Sequence, residues 1–153
     1  MKQISCHVRG YKGAGFGSGF IKWWTRSEYS HVSLVFDLGH VCEEIESIQN
    51  AGCIRHRPYR HTDLSFDEYK VPLTHDQIIE AHGIACSLLG ARYDWQAIRS
   101  FIKHRKKHSL DKFICSEFVA YVLYKAGYKL SRREPFVESP ATVCESLRLL
   151  EED

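Results

Sequence analysis

No window of the 153 residues approaches the roughly 18 consecutive apolar residues that a membrane-spanning helix needs. The opening stretch MKQISCHVRGYKGAGFG also lacks the uninterrupted apolar run of a signal peptide. These two absences set the expectation of a cytoplasmic protein without a transmembrane segment. The two signs of charge nearly balance, with 21 Lys and Arg against 19 Asp and Glu. The formal net charge is only +2, which makes no global electrostatic case for nucleic acid or an anionic membrane surface. No repeat, low-complexity block or linker divides the chain, so a single domain over 1–153 is expected. The six cysteines (6, 42, 53, 86, 115, 144) include no CxxC pair, and without a secretion signal they read as free thiols.

Familiar ligand-binding patterns are missing as well. GYKGAGFGSG (10–19) has GxGxG spacing, but no strand is predicted to lead into it and no Lys-Ser/Thr closes it, so a flexible loop is expected rather than a phosphate cradle. Cys6 beside His7, and His56 near His61, match no structural zinc spacing. The expectation is no metal and no cofactor.

What is present runs strands first, helices last. FIKWWTRSEY clusters Phe20, Ile21, Trp23 and Trp24 at near-helical spacing and predicts a short helix. HVSLVF (31–36) and VCEEIES (41–47), joined by DLGH, predict a hairpin. CIRHRPY (53–59) and FDEYKVP (66–72) predict two further strands. LTHDQIIEAHGIACSLLG (73–90) predicts a helix with Thr74 as N-cap, Gln77 completing a capping box and Gly90 as the stop. YDWQAIRSFIKH, CSEFVAYVLYKAG and SPATVCESLRLL predict three more, the last with Ser139 as N-cap and Pro140 at the first helical position. The fold class is α+β, a small antiparallel sheet of four or five strands packed against helices.

One cysteine stands out by position. Cys115 falls in the first turn of a helix whose Phe118, Val119, Val122 and Ala126 share its face. Two readings are open: a buried structural cysteine, or a thiolate stabilised by the helix N-terminus. A nucleophilic thiol needs a base, and the base an orienting partner. His31 heads an apolar strand near a sheet rim. A tight hairpin with Phe36 opposite Val41 would set Glu46 directly across from His31, with Glu44 one diagonal step away on the same face. The plainer alternative is a solvated acidic strand edge beside an ordinary histidine.

The segments YSHVSLVF, EEIESIQNAGCIR, LGARYDW, FICSEFVAYVLYKAG and SPATV, in that order, resemble the circularly permuted NlpC-type papain-like cysteine hydrolases, in particular the YiiX/YebB-like branch. The resemblance covers most of the chain. It implies a permuted papain-like fold in which the histidine strand precedes the nucleophile helix, with Cys115 as nucleophile, His31 as base and a polar third member on the next strand. Glu46 is favoured for that place and a one-residue bulge would substitute Glu44. LGARYDW resembles the family's Gly-x-x-Tyr element, which makes Tyr93 a candidate substrate-binding residue; a packing aromatic is the alternative. The implied chemistry is hydrolysis or acyl transfer at an amide, ester or thioester, on a peptide, peptidoglycan-peptide or acyl-lipid substrate, without metal or cofactor. The glycine-rich loop, carrying Tyr11, Phe16 and Phe20 but only Lys12 as a charge, is expected to bound the cleft and to suit an uncharged or lipidic chain. A competing function is a non-enzymatic binding domain that holds an anionic polymer through the basic run IKHRKKH (102–108).

Overall fold

A computed structural model of the chain describes residues 3–12, 28–49, 51–57, 65–93, 112–131 and 139–152. Among these residues the expected α+β architecture is present as a five-stranded antiparallel sheet, a separate two-stranded parallel pair and three helices. The sheet strands are β1 (Ser5–Lys12), β2 (Tyr29–Asp37), β3 (Cys42–Ile48), β4 (Gly52–His56) and β5 (Phe66–Lys70). Their spatial order is β4-β3-β2-β1-β5. Helix α1 (His75–Ser87) is followed by the parallel pair β6 (Arg92–Tyr93) and β7 (Lys112–Phe113), and then by α2 (Cys115–Lys125) and α3 (Pro140–Glu151). All six cysteines are free, as their spacing suggested. The predicted Trp-rich helix, the predicted helix over 93–104 apart from Tyr93, the basic run 102–108 and the glycine-rich segment beyond Lys12 lie outside the described residues.

Helix ends follow local chemistry. The Thr74 hydroxyl accepts from the Gln77 N–H at 3.2 Å and the Gln77 side chain accepts from the Thr74 N–H at 2.9 Å, a reciprocal arrangement that satisfies two of the donors a helix start leaves over. Ser139 and Thr142 do the same for α3, with Pro140 at the first helical position. Helix α2 stops in a Schellman arrangement. The Tyr128 N–H donates to the Leu123 carbonyl at 2.8 Å and the Gly127 N–H to Tyr124 at 3.0 Å, which requires Gly127 at φ +89°, a conformation costly for any residue with a Cβ.

Strand alternation sorts the sheet into two rows. Cys6, Val8, Val32, Leu34, Phe36, Ile45 and Cys53 join one apolar cluster with Ala81 and Ala85 of α1, Phe118, Val119, Val122 and Leu123 of α2, and Val143 and Leu147 of α3. Each fully buried large apolar side chain contributes about 1.5–3 kcal/mol relative to exposure, so α2, with four of them, is held firmly against the sheet. The alternate row is polar yet equally buried: Arg9, His31, Ser33, Glu44 and Glu46.

The structure corrects three expectations here. First, a strand does lead into the glycine-rich segment. β1 includes Gly10 and Tyr11, and Tyr11, expected on a cleft rim, is fully buried opposite His31. Gly10 is needed for close approach rather than loop mobility: a Cβ there would lie 2.5 Å from the Cys144 sulfur and 2.8 Å from the Tyr29 ring. Second, the hairpin turn is tighter than predicted. Leu38 donates to Val41 at 2.9 Å, Phe36 faces Glu43 and Val35 faces Glu44, so the register is displaced by two residues from the expected one. Because side chains alternate with period two, that displacement keeps every residue on its predicted face. Third, Tyr93, expected at a helix start, is in strand β6 and pairs with Phe113 of β7.

Candidate active site

Helix α2 begins at Cys115, with Ile114 as its N-cap in extended conformation. The Glu117 carboxylate accepts the Ile114 N–H at 3.2 Å, leaving the N–H groups of the first turn to give the helix end its partial positive charge. The Cys115 thiol therefore sits at the positive end of the helix dipole. Ser116, the next residue, is fully buried and its hydroxyl has no hydrogen-bond partner among the described residues.

His31 meets this helix end from β2. Cys115 is the neighbour that does most to raise the pKa of its ring, and its Nε2 lies 3.2 Å from Oε2 of Glu46 on β3. Continuing the observed β2–β3 register would put Ser33, not His31, opposite Glu46, so the histidine and the glutamate meet on a diagonal of the ladder, within side-chain reach. A one-residue irregularity precedes His31: Tyr11 faces His31 while Lys12 faces Tyr29, which makes Ser30 the extra residue of a bulge. Bulges of this kind re-aim side chains at strand ends. Here the Ser30 hydroxyl donates to the Tyr11 carbonyl at 3.3 Å.

The electrostatics of His31 are set by competition. Burial alone would hold the ring neutral, but attraction to and a hydrogen bond with the Cys115 sulfur, joined by Glu46, outweigh it and raise its pKa to about 9. The protonated ring is thus favoured at neutral pH. Glu46 also stands 3.4 Å from Nε2 of His56 on β4, so one carboxylate serves two imidazoles.

Glu44, the other candidate for the third position, is occupied differently. It accepts hydrogen bonds from Tyr11 Oη and, at 2.7 Å, from Ser33 Oγ, and it lies 3.7 Å from the Arg9 guanidinium, which also reaches Glu68 at 3.2 Å. Burial, then Glu44, push the Tyr11 hydroxyl far above its ordinary range, so it stays a neutral donor. This Arg9–Tyr11–Ser33–Glu44 network braces the row that carries His31. Tyr93 is buried on β6, and its pairing with Phe113 sets it beside the segment entering α2, two residues ahead of Cys115.

The structure thus brings Cys115, His31 and Glu46 together and turns Glu44 toward a supporting network. Sequence reasoning missed Ser33 and Arg9, placed Tyr11 on a loop at the cleft rim, and weighed His56 only as a zinc ligand. His56 was in principle findable, because it faces Glu44 across β3–β4 and alternation therefore puts it in the same row as Glu46. Among the described residues no helix is long and apolar enough to cross a membrane. No family model matches the chain, and no curated protein matches it.

Proposed function

We propose that this protein is a cysteine-dependent hydrolase or acyltransferase with a circularly permuted papain-like arrangement, acting on an amide, ester or thioester through Cys115, His31 and Glu46. The observation that carries the reading is that a buried imidazole contacts a buried carboxylate and is raised in pKa chiefly by a thiol at a helix N-terminus, which supports the relation of nucleophile, base and orienter. The order of the elements, histidine strand before nucleophile helix, agrees with the permuted arrangement.

In this mechanism His31 holds the thiol proton and the Cys115 thiolate attacks the carbonyl carbon. The carbonyl oxygen takes up negative charge facing the N-terminus of α2, where the Cys115 N–H is a suitable donor. His31 then gives its proton to the departing amine, alcohol or thiol as the C–N, C–O or C–S bond breaks, leaving a thioester on Cys115. Water, deprotonated by His31, attacks the thioester and releases the acid; another nucleophile in place of water makes the same cycle an acyl transfer. Glu46 keeps the ring oriented and stabilises its protonated form. Peptide, peptidoglycan-peptide and acyl-lipid substrates are the classes to try first.

The deciding experiment is a panel of acyl and peptidyl amide, ester and thioester probes, with Cys115→Ala as control. Turnover that disappears in Cys115→Ala is the expected result. Equal inertness of wild type and variant across the panel would remove the reading. The competing role of residues 102–108 in holding an anionic polymer has no structural observation behind it, since that segment is outside the described residues.

A further inference from the structure

A second group of the same three residue types lies elsewhere in the fold. Glu43, the β3 residue that faces Phe36, meets His82 and Cys86, one helical turn apart on α1. His82 Nε2 is 2.7 Å from Glu43 Oε2 and 3.5 Å from the Cys86 sulfur, and the donor atoms of all three lie within 4.8 Å of one another. Glu43 is buried, while His82 and Cys86 are partly exposed.

The geometry differs from that of a catalytic relay. A relay uses opposite ring nitrogens, one for the thiol and one for the carboxylate. In this group both the sulfur and the carboxylate approach the same nitrogen, Nε2; Nδ1 is farther from the sulfur, at 4.0 Å. Three donors converging on one point are the arrangement of a chelate. We propose that Glu43, His82 and Cys86 bind a zinc-type divalent cation, with solvent completing the coordination.

The donor chemistry and spacing agree. Nitrogen, thiolate sulfur and carboxylate oxygen are all zinc ligands, and bond lengths of about 2.0–2.3 Å at tetrahedral angles separate donor atoms by roughly 3.4–3.6 Å. The nitrogen–sulfur distance already matches, and the nitrogen–oxygen distance must open by less than about 1 Å. Phe36 meets the His82 ring edge-on with centroids 5.1 Å apart, which restricts the ring. Charge balance also fits. A thiolate and a carboxylate offset a dication, and without one the same positions are answered by arginines: Arg57 Nε donates to Glu43 Oε1 at 2.6 Å and Arg55 points at the Cys86 sulfur from 3.8 Å. Both arginines are exposed and can swing into solvent. The zinc pairings rejected from sequence, Cys6 with His7 and His56 with His61, did not include this one. A bound ion would tie α1 to β3, the strand that carries Glu46.

The test uses the full chain carrying Cys115→Ala, which removes the other Cys-His-Glu set as a competing ligand. Titration with Co(II) under anaerobic conditions should give a sulfur-to-cobalt charge-transfer band and the visible bands of a tetrahedral ion, saturating at one ion per chain and displaced by Zn(II). Adding Cys86→Ser should abolish the charge-transfer band, and His82→Ala should weaken binding tenfold or more. Arg57→Ala should tighten binding several-fold, because it removes a cation that competes for Glu43. A purely structural hydrogen-bonded cluster would instead only lose stability. Absence of the band in the parent, its survival in Cys86→Ser, or unchanged or weaker binding in folded Arg57→Ala would each overturn the assignment.

Discussion

Replacing Cys115 by alanine should change the titration of a different residue, His31. In the wild type this buried ring is raised from 6.5 to about 9, a preference of about 3 kcal/mol for the protonated form at 1.36 kcal/mol per unit. Burial opposes the rise, and contact with the Cys115 sulfur outranks Glu46 among the causes that produce it. Cys115→Ala should therefore lower the His31 pKa more than Glu46→Gln does. The double variant, in which burial is no longer opposed by Cys115 or the Glu46 carboxylate, should titrate below either single variant. The assay is a pH series of ring ¹³C or ¹⁵N chemical shifts, with His31 assigned by its absence in His31→Gln. It needs no substrate, so it tests the physical premise apart from the reaction. A wild-type His31 that titrates near 6.5, or one that does not move in Cys115→Ala, would refute the claim that sulfur and imidazole share a proton.

Three further outcomes follow from the same geometry. Glu44→Gln should cost about 1–3 kcal/mol in urea unfolding by disturbing the acceptor of Tyr11 and Ser33, with turnover per folded molecule little changed, whereas Glu46→Gln should lower turnover more than stability. The stability that the protonated His31 lends is fully present below 6.5, the unfolded-state value, and is lost as pH rises through about 9; the urea midpoint of wild type relative to Cys115→Ala should fall across that interval. Gly10→Ala should destabilise by about 1–3 kcal/mol through overpacking, and Cys144→Ala should recover part of the loss, because the added methyl would collide with the Cys144 sulfur.

How much of this could be read from the sequence depends on how local the cause is. The ends of α1, α2 and α3 were legible because Thr74, Gln77, Gly127, Ser139 and Pro140 act on their immediate neighbours. The face relation of His31 and Glu46 was legible because alternation fixes it whatever the turn length; the register was not, since a two-residue turn and a four-residue turn can be written with the same DLGH. Strand β1 was missed, although Cys6 and Val8 alternate with His7 and Arg9, because Gly10 imitates a loop, when it is the approach of α3 that calls for glycine. Nothing local announces that Arg9 and Tyr11 are buried, because their partner Glu44 lies more than thirty residues away. The approach of Cys115 to His31 joins residues 84 positions apart in number, and only the packing of α2 on the sheet creates it.

The displaced hairpin register also bears on how the chain could change without losing its site. Turn length between β2 and β3 can vary in steps of two, because Glu46 then stays in the row of His31 and slides along it by one diagonal. A single inserted or deleted residue at Leu38–Val41 is another matter. Unless a bulge absorbs it, Glu43 and Ile45 are carried into the polar row and Glu46 is turned toward the apolar helices. Insertions and deletions in this loop are thus filtered by parity more than by size, and a library of loop lengths should show function alternating between odd and even members.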